Sequence, residues 1–427
     1  MKKHIPLLFF LCSLSLVSQK KLDTIIKDGI KETSSKIFFS DKDLSLIDSL
    51  LMEARYKSPL YDTIHYVLKD LQIRESATHK IPTKTLKERL NAINERTPFN
   101  IAYNPALEKV IHSYLKYRKR YYPSLMAKAN YYFPLFEKHL DAYDIPLEMK
   151  YLAIVESTLN PRARSRVGAR GLWQFMYLTG KQYKLRVSSY VDERQDPIKA
   201  TIAACKYLSD LYTLFGDWDL ALAAYNSGPG NVSKAIRRSG GYRNYWNIRP
   251  YLPRETAGYV PAFYATMYLF EYAKEHELQA KTPPIYHFAT DTIHIKRSVS
   301  FDQISEVTGV KMEMLQFLNP SYKLDIIPVV KNRDYPLRLP KNATARFLSK
   351  EKELYALADT EDAKREKPLP RYFEMDKRVR YRVKNGDYLG RIARKFGVRV
   401  SDIKKWNRLR GSNLKIGQRL SVYPKRL

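Results

Sequence analysis

Apolar and aromatic side chains recur at helical spacing from about residue 98 to 272, and three glycine breaks, "GARG", "NSGPG" and "SGGY", cut the run into helix-sized pieces. One piece, "IPLEMKYLAIVES", predicts a helix from near Pro146 with Leu147, Tyr151, Leu152 and Val155 on one buried stripe. At a helical period Glu156 stands roughly 40° from Leu152. It lies on the flank of the stripe and close to the helix end, because Asn160-Pro161 turns the chain out of helical geometry. A second piece, "DLALAAYN", ends on Tyr225 and Asn226 just before a glycine break, and "ETAGYVPAFYA" opens a third carrying Tyr259. Upstream, residues 20–97 show helical spacing, as in "LSLIDSLLMEA", with mixed charge and no legible chemistry. The stretch 98–272 is the largest candidate core, in a chain of 427 residues that is long enough for several domains.

An internal repeat follows a spacer at Pro283-Pro284. "IHIKRSVSFDQISEVTGVKMEMLQFLNP" from Ile293 aligns without a gap with "YRVKNGDYLGRIARKFGVRVSDIKKWNR" from Tyr381, pairing Ile304 with Ile392, Gly309 with Gly397 and Asn319 with Asn407. Two copies are too few for a solenoid, so each predicts a small separate module, at 290–340 and 378–425, joined by a charged, proline-bearing linker over 341–377. In the second copy Tyr381 and Val383 alternate with Arg382 as in a strand. Asp387 is placed to cap a helix bearing Leu389, Ile392, Ala393 and Phe396 on one face, and Ser401 to cap another bearing Ile403 and Trp406; "IGQRLSVY" closes with a strand. These residues closely resemble a LysM domain. The resemblance implies a βααβ module that binds N-acetylglucosamine-containing glycans through Asn385, Gly386, Asp387 and Tyr388 on one loop and the stretch from Asn407 to Leu414 on the other. The first copy keeps the apolar skeleton but has Ser298-Val299-Ser300 in place of Gly386-Asp387-Tyr388, so its resemblance covers the fold and not the sugar contacts.

The start, "MKKHIPLLFFLCSLSLVSQKK", joins two lysines to an apolar stretch from Ile5 to Val17, which reads as a signal peptide over residues 1–19. The expectation is therefore an exported protein of the periplasm or cell envelope. A lipid anchor through Cys12 is disfavoured by the bulk of Phe10-Leu11. The two cysteines, Cys12 and Cys205, form no disulfide framework. The net charge of +31 is uneven, with 17 Lys and Arg against 2 Asp from Lys377 to Leu427. An exported protein rarely meets nucleic acid, so this excess suits an anionic envelope polymer, or serves as a solvated basic surface. The eight histidines are dispersed, and no metal site and no cofactor are expected.

A carboxyl half removed from water near the negative end of a helix favours its protonated form, which is how a general acid is prepared at neutral pH. Standing alone, Glu156 reads better as a surface acid that reaches solvent or pairs with Arg162, Arg164 or Arg166. Its companions shift that balance. "GLWQFM", "AAYNSGPG" and Tyr259 add amides, tyrosines and glycine turns, the inventory of a cleft that takes sugar rings and N-acetyl groups.

At these residues the chain resembles the lytic transglycosylases of the lysozyme-like superfamily, and more narrowly the membrane-bound lytic murein transglycosylase D group with C-terminal LysM repeats. The resemblance implies a multidomain protein, a mainly α lysozyme-like catalytic domain over 98–272 followed by two small βααβ LysM modules. It implies that Glu156 is the catalytic acid and base, beside Ser157. Ser165, Gln174 and Met176 would line one side of the cleft and Ala224, Tyr225 and Asn226 the other, with Tyr259 near Glu156. Trp173 stands where many relatives have Met, which is expected to alter one glycan subsite. The implied partner is a peptidoglycan glycan strand, cleaved between N-acetylmuramic acid and N-acetylglucosamine to leave a 1,6-anhydro sugar. Asp192, Glu193, Asp196, Asp217, Asp219 and Glu255 lie in the same region. A carboxylate from this set facing Glu156 would instead favour hydrolysis, and a non-catalytic wall-binding scaffold is the alternative outside enzymes.

Overall fold

The computed structural model describes residues 81–423 apart from 166, 367, 371, 373, 375–378 and 410. The expected signal segment, Cys12 and most of the region 20–97 lie outside the described residues. No helix among the described residues is long and apolar enough to cross a membrane.

The first helices are α1 (Thr83–Asn94), α2 (Pro105–Tyr117) and α3 (Tyr122–Asp141). In α1, Leu86, Leu90 and Ile93 are buried at helical spacing in the same core as the later helices, so the expected boundary near residue 97 runs through a packed unit. Helix α2 starts where Asn104 accepts from the Leu107 amide and Pro105 supplies a preset first turn. The chain then makes a 3-10 turn over Leu147–Tyr151 before α4 (Leu152–Ser157). The tighter turn takes Leu147 off the predicted stripe, and it is 43% exposed, while Tyr151 and Leu152 are buried as expected. Helix α5 (Tyr177–Gln182) precedes α6 (Pro197–Phe215), which Asp196 caps by accepting from Ile198 and Lys199 amides. Helix α7 (Trp218–Ser227) is buried on nearly every face, as befits a central helix. Then come α8 (Pro229–Arg238), α9 (Tyr245–Ile248) and α10 (Arg254–Glu271), the last packing on α2, α4 and α7.

The first repeat copy contains β1 (Thr290–Ile293), β2 (Val299–Ser300), α11 (Phe301–Thr308), α12 (Met312–Leu318), β3 (Ile326–Ile327) and β4 (Leu337–Pro340). Strands β1 and β4 pair antiparallel with Ile293 opposite Leu337, and β2 pairs with β3. The expected linker is replaced over Lys341–Lys364 by two helices, α13 (Lys341–Ser349) and α14 (Glu351–Lys364). Ala343, Phe347, Leu354 and Ala358 are at most 1% exposed and complete this module's core, so the module does not end at residue 340.

The second copy holds β5 (Val379–Arg382), α15 (Leu389–Phe396), α16 (Val400–Asn407) and β6 (Arg419–Val422), the βααβ order expected, with β5 and β6 antiparallel. Its core is small, built from residues such as Leu389, Ile392, Phe396 and Ile403. Two predicted caps differ. Asp387 accepts from the Tyr381 hydroxyl at 2.6 Å and the Lys384 amide at 2.8 Å and leaves the helix start to Tyr388, while Ser401 falls inside α16.

The first module is fastened to the catalytic helices. Arg162 donates to Asp325 at 2.7 Å and to the Tyr322 carbonyl at 3.2 Å, Lys323 Nζ donates to the Ser188 carbonyl, and the Asp192 amide donates to the Ser321 carbonyl. Phe317 of α12 packs its ring against Tyr131 and Tyr132 of α3.

Candidate active site

Glu156 sits in the last turn of α4 and is 7% exposed. The helix ends two residues earlier than Asn160-Pro161 would force, because Thr158 and Leu159 adopt left-handed backbone at φ 52° and 53°. Their amides close back on the Ile154 and Ala153 carbonyls, the usual way of satisfying a helix end. A β-branched Thr in this region is uncommon. The strained exit keeps Glu156 at the helix mouth, and the Tyr259 hydroxyl, from α10, donates to its Oε1.

The turn opposite is held rigidly. Arg194 grips Asp192 with two nitrogens, at 2.9 and 2.7 Å, and donates to the carbonyls of Gly168 and Phe175. A Cβ at Gly171 would lie 1.9 Å from the Arg194 carbonyl oxygen, so this position admits only glycine. Ser157 is buried, and its single hydroxyl proton is shared between the Ala153 carbonyl at 3.0 Å and the Leu172 carbonyl at 2.9 Å, which ties α4 to the turn. Ser165 accepts from the Ala169 amide. Gln174, at φ 47°, spends its side-chain nitrogen on the Gly171 carbonyl at 2.8 Å. Met176 is half-buried at the start of α5. Trp173 departs from expectation. It is fully buried, bonded to Thr201 and packed on Phe136, so it fills the core and forms no glycan subsite.

Helix α7 brings Ala224, Tyr225 and Asn226 alongside. Ala224 is fully buried and lets the helices approach. The Tyr225 hydroxyl donates to the Trp173 carbonyl at 2.8 Å, joining α7 to the turn. Asn226 accepts from Thr256 at 2.9 Å and donates to Glu255 at 3.4 Å. Thr256 is a support that the sequence reading did not single out, and Glu255, named there only as a possible second carboxylate, bonds Asn226; the "ET" pair lies four and three residues before Tyr259 and shares its helix face.

The other carboxylates of the region have structural work. Asp196 and Asp217 cap helices, Asp192 holds Arg194, and Glu193 pairs with Arg186 and Lys199. Asp219 is buried against the Tyr264 hydroxyl.

On the second module Asn385, Gly386 and Tyr388 are exposed, and Gly386 has φ 79°. Leu414 is half-buried against the small core. Asn407 is committed elsewhere. Its amide donates to the Ile403 and Ser421 carbonyls and accepts from the Ser421 amide, tying α16 to β6. Asn319 makes the same three bonds in the first module, so the shared Asn is a structural cross-link of the fold. In the first module Ser300 caps α11 and Val299 is buried in β2, which leaves none of the second copy's loop.

The domain is helical with Glu156 buried against the Tyr259 hydroxyl, and the Transglycosylase SLT domain family, of lysozyme-like class, matches residues 134–247. The family described as "Lytic transglycosylase MltD, LysM-like domain" matches 289–356, and the LysM domain family matches 381–422. Membrane-bound lytic murein transglycosylase D of Escherichia coli K12 is 30% identical over 335 residues, 77% of this chain and 71% of that protein. Soluble lytic murein transglycosylase of the same organism is 32% identical over 136 residues, 30% of this chain and 21% of that one. The solved 70 kDa soluble lytic transglycosylase SLT70 of Escherichia coli is 21% identical, covering 61% of this chain and 47% of its own, with a TM-score of 0.31. The chain belongs to the lytic murein transglycosylase family and is a lytic transglycosylase of peptidoglycan.

Proposed function

We propose that Glu156 alone carries both proton transfers of this lyase reaction, in the cell envelope. Protonated Glu156 donates to the oxygen that links N-acetylmuramic acid to N-acetylglucosamine. As that bond breaks, positive charge develops at C1, and the sugar's own 2-acetamido oxygen shields it. The resulting carboxylate then takes the proton of the C6 hydroxyl, whose oxygen closes on C1. The product is a 1,6-anhydro sugar, and no water is consumed. An intramolecular nucleophile has a high effective concentration and asks little positioning of the protein. One group acts first as acid and then as base.

The observation that carries this reading is the buried Glu156 held by Tyr259, while Asp192, Glu193, Asp196 and Asp217 are committed to caps and ion pairs. Hydrolysis draws its support from Glu255, whose carboxylate lies on the same α10 face as Tyr259, bound to Asn226. Tyr388 and its loop on the second module are the proposed glycan contacts, which would raise the local concentration of strand at the cleft. Release of soluble muropeptides from purified peptidoglycan tests the proposal. Wild type releases them, and Glu156→Gln binds the polymer but releases essentially none.

A further inference from the structure

The two repeat copies differ at one corresponding place. In the first module, Lys296 pairs with Glu351 at 3.1 Å, and Arg297 pairs with Asp359 at 2.7 Å and Asp362 at 3.1 Å. Gln303 of α11 donates to Glu361 at 2.6 Å. All four acids belong to α14, the helix that follows the module's last strand. It lies along α11 and β2 with Leu354 and Ala358 buried beneath it. Thus a row of carboxylates from the chain itself covers the loop after β1 and the first helix.

Moving 88 positions along, the gap-free repeat puts Lys384 where Lys296 stands, Asn385 at Arg297, Arg391 at Gln303 and Lys395 at Val307. These residues line an open cleft of about 250 Å³ floored by Tyr381. Among the described residues the one acid lining it is Asp387, whose carboxylate accepts from the Tyr381 hydroxyl and the Lys384 amide and is also attracted by Arg391 and Lys395, a single acid facing three cations. Lys395 is poised over the Tyr381 ring at 5.1 Å, and Arg391 gives one nitrogen to the Gly386 carbonyl at 3.3 Å, which orients its fork. Lys384, Arg391 and Lys395 are all exposed. Asn385 and Asp387 of the 385–388 loop line the cleft, and none of the described residues from 407 to 414 does.

We propose that this cleft is a carboxylate-binding site that takes the acidic peptide side of peptidoglycan, next to the glycan held by the same loop. The first module is closed by the acids of α14; the second keeps Lys384 at the place of Lys296, has Asn385 in place of Arg297, and gains Arg391 and Lys395 where the first has Gln303 and Val307. Guanidinium and ammonium groups converging in a concave site match the geometry of carboxylate oxygens. Carboxylate is the anion that the peptide part of peptidoglycan supplies, and the phosphate arm of the test separates it from a general anion site. The inference rests on the reading of the chain as a peptidoglycan enzyme.

The test uses the full chain in the Glu156→Gln background, which keeps ligands intact. Binding is measured by calorimetry to a murein-derived peptide with free carboxylates, to its amidated counterpart, to an N-acetylglucosamine oligomer and to inorganic phosphate. Combining Lys384→Ala, Arg391→Gln and Lys395→Val, the last two restoring the residues of the first copy, is expected to weaken the free peptide about tenfold, equivalent to about 1.4 kcal/mol. Oligomer binding stays unchanged, which also reports that the module is folded. The amidated peptide binds the parent as weakly as the free peptide binds the variant. Equal binding of free and amidated peptide, unchanged affinity in the variant, or tighter binding of phosphate than of peptide overturns the proposal. If the oligomer still binds in those cases, the glycan reading of the module survives by itself; if neither oligomer nor peptide binds, both fail.

Discussion

The hydroxyl of Tyr259 donates to Oε1 of Glu156, joining the middle of α10 to the end of α4 across 103 positions of sequence. In the proposed reaction one carboxyl gives up a proton and later takes one back, so its orientation matters in both steps. A hydrogen bond from a tyrosine that is itself buried fixes its rotation.

Tyr259→Phe removes that restraint and leaves the ring in place. Turnover of purified peptidoglycan should fall roughly ten- to a hundredfold, the order of a misaligned acid–base group. Affinity for the polymer, measured by pelleting, should change little. A loss of binding that accounts for the whole drop would mean that Tyr259 serves the substrate and not the acid.

Arg162 leaves the α4 exit by way of Pro161 and bonds Asp325 in the first module. Both side chains are about one-third exposed, 32% and 31%, so the pair is worth about 1 kcal/mol or less after solvent screening. Arg162→Ala and Asp325→Ala should each lower turnover modestly, and the double variant no further than the worse single one. Additive losses would show that the module does not brace the loop behind Glu156 through this pair.

Asp219 is 2% exposed, and burial pushes its carboxyl up to about 7; the Tyr264 hydrogen bond works the other way and Asp217 adds to the rise. Its folded value lies above the ordinary 3.8, so the native state holds an extra proton between the two. The stability this group supports is greatest below about pH 4, declines as pH rises, and is fully lost above about pH 7. Asp219→Asn cannot ionise. Its melting temperature relative to wild type should therefore climb from about pH 4 to about pH 7 and then level off, measured by calorimetry in matched buffers. A difference that does not vary with pH would contradict this.

Much of the site was legible because its signals are local. An apolar helical run, an acid on its flank and a break just after it are enough to place Glu156 at a helix mouth. What the sequence hid depends on partners far away in the chain. Trp173 read as a cleft residue because aromatic rings serve both sugars and cores, and Thr201 and Phe136 decide the matter. The stretch after residue 340 read as a linker because charges surround its apolar positions. Phe347, Leu354 and Ala358 nevertheless fall at helical spacing, and α11 supplies the surface that buries them. Asn407 was matched to Asn319 correctly, but an identity shared by two copies reports a common need of the fold as readily as a common ligand.

Mass analysis of the soluble products of peptidoglycan digestion tests the central claim most directly. If Glu156 hands the proton from the glycosidic oxygen to the C6 hydroxyl without water, wild type yields muropeptides ending in a 1,6-anhydro sugar, with no reducing end and no oxygen from isotopically labelled water. Products heavier by one water, carrying the label, would contradict that claim and point to hydrolysis with Glu255 as the second carboxylate.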